Sequence, residues 1–205
     1  CNDDYLEKIS EYTGWQMEYV AYAAGNYNEA VTDAINDLQE GKVDLLGPML
    51  KSAAVEDMFE MPENSCGTVY TTLCTLTTSR LRENNIKSMK PLRVGLLEKT
   101  KTRNNEVFSF LSGESIEYTA FYYQTAAQQR QALYDGEVDV ISSLSLSPVA
   151  NTRIVEQFAA RPYYFAATKG NTELIAELDE AIAKIDQAQP CLQETLHVLC
   201  VDGDA

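Results

Sequence analysis

Residues 38–46 read LQEGKVDLL, and residues 133–141 read LYDGEVDVI. Both stretches follow the pattern L-x-x-G-x-V-D plus two apolar residues, with Gly41 and Gly136 at the same place in it. A glycine there favours a left-handed helix cap, and the apolar run after it is typical of a parallel strand covered on both faces. Two such copies in one chain predict two similar α/β lobes, and small ligands bind in clefts between lobes.

The composition excludes several classes of function. The chain has 205 residues, enough for one large core or two modest ones, and a net charge of −15. This charge argues against binding of nucleic acid, because phosphate neutralisation needs clustered Lys and Arg. It also argues against docking on anionic lipid. No run of 18 apolar residues occurs, so the sequence predicts no membrane-spanning segment.

The cysteines bear on the compartment rather than on a metal. The sequence has no C-x-x-C pair and only one histidine, His197, so we expect no zinc site, and no motif for a cofactor occurs. Cys191 and Cys200 flank a short segment and could close a small loop by a disulfide, which would fit an oxidising compartment. For Cys66 and Cys74 we expect buried free thiols.

Hydrophobic periodicity predicts an alternation of strands and helices, which is typical of an α/β fold. Residues 51–65 are polar and are predicted to be irregular. Thr125 and Gln128 predict a capping box at the start of one helix. The predicted helices are 4–12, 28–40, a helix ending near 111, 125–134 and 171–185, and the predicted strands are 15–22, 43–46, 69–78, 92–97, 116–121, 138–142 and 162–167.

An ordered set of phrases resembles family 3 of the bacterial extracellular solute-binding proteins, over roughly residues 4–185. The phrases are EYTGW (11–15), GKVDLLGPML (41–50), YTTL (70–73), LRVGLL (92–97), GEVDVI (136–141) and YYFAATKGNTELIAEL (163–178). The combination YLEKISEYTGW with PYYFA looks most like the sensor domains fused to histidine kinases or diguanylate cyclases. The resemblance implies the type II periplasmic-binding-protein fold, in which each lobe is a mostly parallel sheet flanked by helices.

The resemblance also implies the domain organisation. Lobe 1 would hold residues 1–80 and 163–205, lobe 2 would hold 90–160, and the chain would cross near 78–90 and 160–163. The family starts with a strand before the helix that is predicted over 4–12, and by this resemblance we expect that strand to be absent or unresolved here. The tail from Gln187 to Ala205 does not follow the family pattern, and pairing of this tail with another protomer is left open.

The implied function is an extracytoplasmic, non-catalytic domain. It would close on a small molecule and signal to an output domain through a membrane tether. The alternative is the substrate-binding receptor of an ABC transporter. An enzyme on this fold would need a convergent acid/base set, which the sequence does not show; for Asp44 and Asp139, at equivalent places in the two copies, we favour a structural role.

Two departures from the family pattern bear on the ligand. Amino-acid binders of the family carry an arginine for the ligand carboxylate where this chain has Val55, and an aspartate for the ammonium where it has Ser142 and Ser143. The loss of both charged partners predicts either a ligand other than a standard α-amino acid or a pocket that has degenerated.

The candidate ligand-binding residues lie at the carboxyl ends of predicted strands, where this kind of sheet opens. We interpret Thr100–Arg103 as an anion anchor, because two cations precede a helix N-terminus whose amide groups are free. The alternative there is ordinary capping by Thr102 with solvated cations. The candidates are Gly47, Met49, Leu50, Tyr70, Thr71 and Thr72 in lobe 1, and Thr100, Lys101, Thr102, Arg103, Ser142 and Ser143 in lobe 2.

Overall fold

The computed structural model describes residues 3–22 and 27–189, in which helices and strands alternate and confirm the predicted α/β class. The helices are α1 (Asp3–Thr13), α2 (Tyr27–Gln39), α3 (Ala53–Met58), α4 (Lys101–Gly113), α5 (Ala126–Tyr134) and α6 (Thr172–Ala188), with a short 3₁₀ helix at Ile86–Ser88. The strands are β1 (Leu45–Met49), β2 (Phe59–Glu60), β3 (Gly67–Leu76), β4 (Leu92–Leu97), β5 (Tyr118–Tyr123), β6 (Val140–Leu144) and β7 (Thr152–Thr168).

The chain forms two compact units. Unit 1 comprises Cys1–Thr68 and Arg161–Ala205, and unit 2 comprises Val69–Ala160. Both boundaries fall inside strands, so the chain passes between the units once within β3 and once within β7.

Unit 1 is built on the second half of β7. Both β1 and β2 pair with this half, and both pairings are antiparallel. The prediction of a parallel strand after Gly41 is therefore wrong, because β1 pairs with β7, which runs in the opposite direction. Leu38 of α2, Phe59 of β2 and Ala166 of β7 form a buried cluster beside these strands. The long helix α6 packs against α1 and buries an apolar residue at every third or fourth position, as its sequence predicts.

Unit 2 is a four-stranded sheet in the order β3-β6-β4-β5. Strands β6, β4 and β5 are parallel, and β3 runs antiparallel to β6. Val140 of β6 belongs to a core cluster that includes Val107 and Leu111 of α4. Its neighbour Ile141 belongs to a second cluster, with Leu133 of α5. Because successive side chains of β6 meet helices on opposite faces, the whole strand is apolar or small.

The predicted strand over 15–22 is wrong. Residues 14–22 have no regular secondary structure, and no strand in the described part of the chain pairs with them. The alternation of residue types is real, since Trp15 and Met17 are half-buried between exposed neighbours, but Tyr19 and Val20 are both exposed. A strand needs a hydrogen-bonded neighbour, and a sequence pattern cannot supply one.

Two further predictions need correction. Residues 51–65 are not irregular throughout, because α3 begins after Ser52, whose side chain accepts a hydrogen bond from Val55 N. The strand predicted over 162–167 is the second part of β7, which begins ten residues earlier at Thr152. The predicted capping box of Thr125 and Gln128 is confirmed, with both reciprocal hydrogen bonds present.

The cysteines agree with the sequence prediction where they are described. Cys66 and Cys74 are buried free thiols. Cys191, Cys200 and the tail from residue 190 onward lie outside the described residues. Within the described ranges no helix combines the length and the apolar character that crossing a membrane requires.

Candidate functional site

The candidate residues of unit 2 meet at one edge of its sheet. The carboxyl ends of β6 and β4 share this edge because the two strands are parallel, and the amino-terminal part of β3 reaches it because β3 is antiparallel. The register pairs Thr72 with Ser143, and Thr71 with Leu144. Thr71, Thr72, Ser142 and Ser143 are all buried. Because successive side chains of a strand alternate between the faces of a sheet, this register puts Thr71 and Ser142 on one face and Thr72 and Ser143 on the other. The edge therefore has a pair of small hydroxyl side chains on each face.

Hydrogen bonds to neighbouring groups fix the positions of the residues at this edge. Gln129 of α5 is 3% exposed, and its Nε2 donates to Gly95 O at 2.9 Å and to Ser142 O at 3.2 Å. The hydroxyl of Ser143 donates to Ser147 O at 3.0 Å. A buried amide that ties two strand ends to a helix fixes their spacing, since an unpaired partner would cost about 1–3 kcal/mol.

Tyr70 lies at the start of this edge. Its backbone N–H donates to the hydroxyl of Ser145 at 2.9 Å, and its carbonyl accepts from Ser145 N at 2.9 Å. The two bonds extend the β3–β6 pairing beyond Leu144, and the ring of Tyr70 stays half-buried.

Glu106 is a residue of this edge that the sequence analysis missed. Its Oε2 accepts a hydrogen bond of 2.5 Å from the hydroxyl of Thr71, which joins α4 to β3. Glu106 follows Arg103 by three residues, so both lie on one face of α4. This three-residue spacing is the sequence signal that could have identified Glu106 as part of the site. Because Glu106 brings negative charge next to the proposed anion anchor, this part of the edge suits a polar ligand with donor groups as well as acceptors.

The proposed anion anchor lies at the start of α4. Thr100, not Thr102, is the N-cap residue, because the helix begins at Lys101. The hydroxyl of Thr100 donates to Leu97 O at 3.1 Å, and Asn104 Nδ2 donates to the same carbonyl at 2.9 Å. The amide groups of a first helical turn have no acceptor within the helix. Lys101 and Thr102 are exposed there, and Arg103 is half-buried.

Three of the candidates predicted for lobe 1 lie in unit 1, since Tyr70, Thr71 and Thr72 belong to unit 2. Of these three, Gly47 and Met49 have packing roles. A Cβ at Gly47 would lie 2.5 Å from a ring carbon of Phe165, so the close approach of this ring requires glycine. Met49 packs against the buried cluster of Leu38, Phe59 and Ala166. Leu50 remains exposed at 44%.

The buried cysteines and the acidic side chains are the groups of the described residues that bear on catalysis or metal binding. Burial raises the pKa of the Cys66 thiol far above its ordinary value, and burial likewise raises the pKa of Cys74, so both thiols stay protonated and unreactive. No group of three or more His, Cys, Asp or Glu side chains in the described ranges could hold a metal ion.

Comparison with solved structures identifies the fold. The chain is similar to substrate-binding domain 2 of Lactococcus lactis GlnP in its open conformation, with 18% identity, a TM-score of 0.67, and coverage of 94% of this chain and 82% of that one. It is similar to an ancestral cationic amino acid solute-binding protein, with 16% identity, a TM-score of 0.60, and coverage of 96% and 85%. It is also similar to the periplasmic VFT2 domain of Bordetella pertussis BvgS, with 15% identity, a TM-score of 0.57, and coverage of 93% and 80%.

No protein-family model and no curated protein sequence matches the chain. Identities below 20% carry information about the fold alone, and the three structures agree on it. The α/β architecture in two units, together with these similarities, shows that the chain has the type II periplasmic-binding-protein fold.

Proposed function

We propose that this protein is an extracytoplasmic solute-binding domain. It closes on a small molecule and signals to a membrane-linked output domain. The observation that carries the proposal is the edge of the unit 2 sheet, where Thr71, Thr72, Ser142 and Ser143 are buried and the hydroxyl of Thr71 bonds to Glu106 of α4. Small hydroxyl groups at the open end of a sheet, together with the amide groups of a helix N-terminus, are suited to holding a polar ligand.

Binding without chemistry is the simplest use of this edge. The hydroxyl proton of Ser143 goes to a backbone carbonyl, which cannot act as a general base. Glu106 holds the hydroxyl of Thr71 from the neighbouring helix, which supports a positioning role for this pair. The similar structures are a substrate-binding domain, a solute-binding protein and a periplasmic VFT2 domain, which is consistent with solute binding.

We propose a ligand other than a standard α-amino acid. Val55, where amino-acid binders of the family carry an arginine, packs against the apolar cluster of unit 1. Ser142 and Ser143 offer neutral hydroxyls where those binders carry an aspartate. Without either charged partner, a zwitterionic α-amino acid would lose its strongest contacts with this edge.

A thermal-shift screen tests this proposal. The purified protein is heated with amino acids, peptides, organic acids, sugars and polyamines, and a ligand of the folded state adds about 2.7 kcal/mol of stability at one hundred times its dissociation constant. We expect a rise in melting temperature with a polar solute, and a much smaller rise in Arg103→Gln and Ser142→Ala. Arg130→Gln, which changes an exposed arginine on α5, is the matched control.

The outcomes separate the parts of the proposal. A hit among standard α-amino acids would contradict the ligand class but not solute binding. A hit that Arg103→Gln and Ser142→Ala leave unchanged would contradict this edge as the site. The absence of any shift across the panel would contradict solute binding itself.

A receptor of an ABC transporter is the second candidate, and the similarity to the GlnP domain favours it. The coding sequence on both sides of this chain discriminates the two. A following transmembrane helix with an output domain supports the sensor, whereas a lipid-attachment signal before the chain and no domain after it support the transport receptor.

A further inference from the structure

A cavity lies in unit 2, away from the candidate edge described above. It has a volume of about 850 Å³, within the range of about 300–1,000 Å³ that small-molecule sites occupy. Its walls come from the segment before β4, from the last turns of α4 and from the first residues of β7. The candidate ligand edge lies at the other end of α4, and a helix of this length measures about 20 Å.

Two arginines converge at one side of the cavity. Arg82 Nη1 donates to Ser79 O at 2.7 Å and to Leu81 O at 2.8 Å. Arg153 Nη2 donates to the same two carbonyls, to Ser79 O at 3.2 Å and to Leu81 O. Because they share both acceptors, the two guanidinium groups are held close together.

This arginine pair lacks a negative partner among the described residues, since neither guanidinium forms an ion pair there. Each group has five N–H donors, so most of them are not used by the two carbonyls. Arg153 Nε is buried and has no hydrogen-bond partner. Burial lowers the pKa of Arg153, and the charge of Arg82 lowers it further. An anionic group would relieve both effects.

The other side of the cavity is acidic. Glu83, Glu114 and Glu156 line it together with Lys87, which pairs with Glu114 at 2.8 Å. Glu83 and Glu156 form no ion pair in the described part of the chain. Burial raises the pKa of Glu156, and the charges of Glu83 and Glu114 add to this increase. This side therefore has unpaired negative charge that a cation would stabilise.

An apolar wall completes the cavity. Phe110 lines it and stacks on Phe158, with ring centroids 4.2 Å apart and planes 4° from parallel. Ile154 also lines the cavity and is 42% exposed. An alkyl segment could cover these side chains and remove apolar surface from water.

We infer that this cavity binds a small zwitterion that has an apolar segment between its charges, with its carboxylate on Arg82 and Arg153 and its ammonium group near Glu83 and Glu156. A simple anion would meet repulsion from the glutamates, and a simple amine would meet repulsion from the arginines. Only a molecule that carries both charges satisfies both sides. This site is separate from the candidate edge and does not depend on the proposed function.

An NMR titration of the ¹⁵N-labelled protein with matched probes tests the inference. The probes are ε-aminocaproate, caproate, which lacks the ammonium group, and hexylamine, which lacks the carboxylate. We expect saturable shift changes of backbone amides in segments 82–87, 110–116 and 153–156 with ε-aminocaproate. We expect binding at least tenfold weaker with either single-charge probe.

Variants on each side of the cavity make the test specific. Arg82→Gln should weaken ε-aminocaproate binding at least fivefold, whereas Arg80→Gln, a neighbouring exposed arginine outside this cavity, should leave it unchanged. The double variant Glu83→Gln and Glu156→Gln should abolish the preference for ε-aminocaproate over caproate. It leaves the hydrogen bonds of Arg82 and Arg153 to Ser79 O and Leu81 O in place, so it tests the inference even if an arginine variant fails to fold.

Three results would overturn the inference. One is the absence of saturable shifts in the three segments, and another is equal affinity for ε-aminocaproate and caproate. The third is a set of shifts confined to Thr71, Ser142 and the first turn of α4. That last result would support the candidate edge as a binding site while leaving this cavity without a ligand.

Discussion

The two copies of the L-x-x-G-x-V-D pattern end their helices with the same hydrogen bonds. Gly41 N donates to Leu38 O at 3.2 Å, and Gly136 N donates to Leu133 O at 3.2 Å. The next amide in each copy donates to the residue before that leucine, at 2.9 Å in both. Both glycines are left-handed, with φ of +70° at Gly41 and +75° at Gly136. Seven residues of similar sequence thus give the same local structure twice.

The strands after the two caps differ in their surroundings. Val43 is half-buried and Asp44 is exposed, and β1 pairs only with β7 among the described strands. Val138 is 2% exposed, and β6 lies between β3 and β4. The shared residues therefore determine the turn, whereas the neighbouring strands determine burial. Repeated sequence is evidence of repeated local structure, and it does not by itself show an equivalent role.

The largest effect should come from the leucines of the two caps. Leu38 is fully buried in unit 1, and Leu133 is 1% exposed in unit 2. Leu38→Ala and Leu133→Ala should each lower the free energy of unfolding by about 2–5 kcal/mol, since each leaves a cavity in a packed cluster. Urea denaturation followed by circular dichroism measures both. A cost below about 1 kcal/mol in either copy would break the equivalence at this position.

The aspartates should show the difference between the copies. Asp139 accepts hydrogen bonds from Arg93 N at 2.8 Å, Nε at 3.2 Å and Nη2 at 2.7 Å. Asp44 is exposed, and its carboxylate forms no hydrogen bond with the described residues. Asp139→Ala should lower the free energy of unfolding by about 1.5–3 kcal/mol, because it removes charge-assisted bonds to a backbone amide and a guanidinium. Asp44→Ala should change it by less than about 0.5 kcal/mol.

The same measurements decide whether Asp139 has a structural role. If Asp139→Ala leaves stability unchanged, the contacts with Arg93 do not stabilise the junction of β4 and β6. Arg93→Gln is the complementary variant, since it removes the guanidinium and keeps the backbone amide bond to Asp139. It should therefore cost less than Asp139→Ala.

Much of the fold could be predicted because its signals are local. The segment 92–97 matches β4, and Thr125 with Gln128 marks the start of α5, since strand composition and capping residues act within a few positions. The strand prediction for residues 15–22 is wrong because the alternation of residue types is present but no strand among the described residues pairs with this segment. The short helix α3 was missed because it has no buried residue and so gives no apolar periodicity.

The candidate edge also has one part that the sequence predicts and another that only long-range packing determines. Burial of Ser142 and Ser143 follows from their place at the end of an apolar strand, which the sequence makes clear. The contact of Glu106 with Thr71 joins residues 35 positions apart, and only the packing of α4 on β3 brings them together. The registers of β3 on β6 and of β6 on β4 are long-range facts of the same kind.

A smaller effect than at the leucines, and the sharpest test of the equivalence, should come from the glycines. No atom lies within 4 Å of a Cβ added at Gly41 or Gly136, so steric contact cannot distinguish the copies. Gly41→Ala and Gly136→Ala should each lower the free energy of unfolding by about 1–2 kcal/mol, which is the conformational cost of a left-handed alanine. Gly113→Ala is the matched control, because Gly113 also has free space around it but lies in α4 without a positive φ. Alanine there should be neutral or stabilise the helix by up to about 1 kcal/mol. Unequal costs at Gly41 and Gly136 would mean that tertiary packing, and not the seven shared residues alone, holds one of the two caps in place.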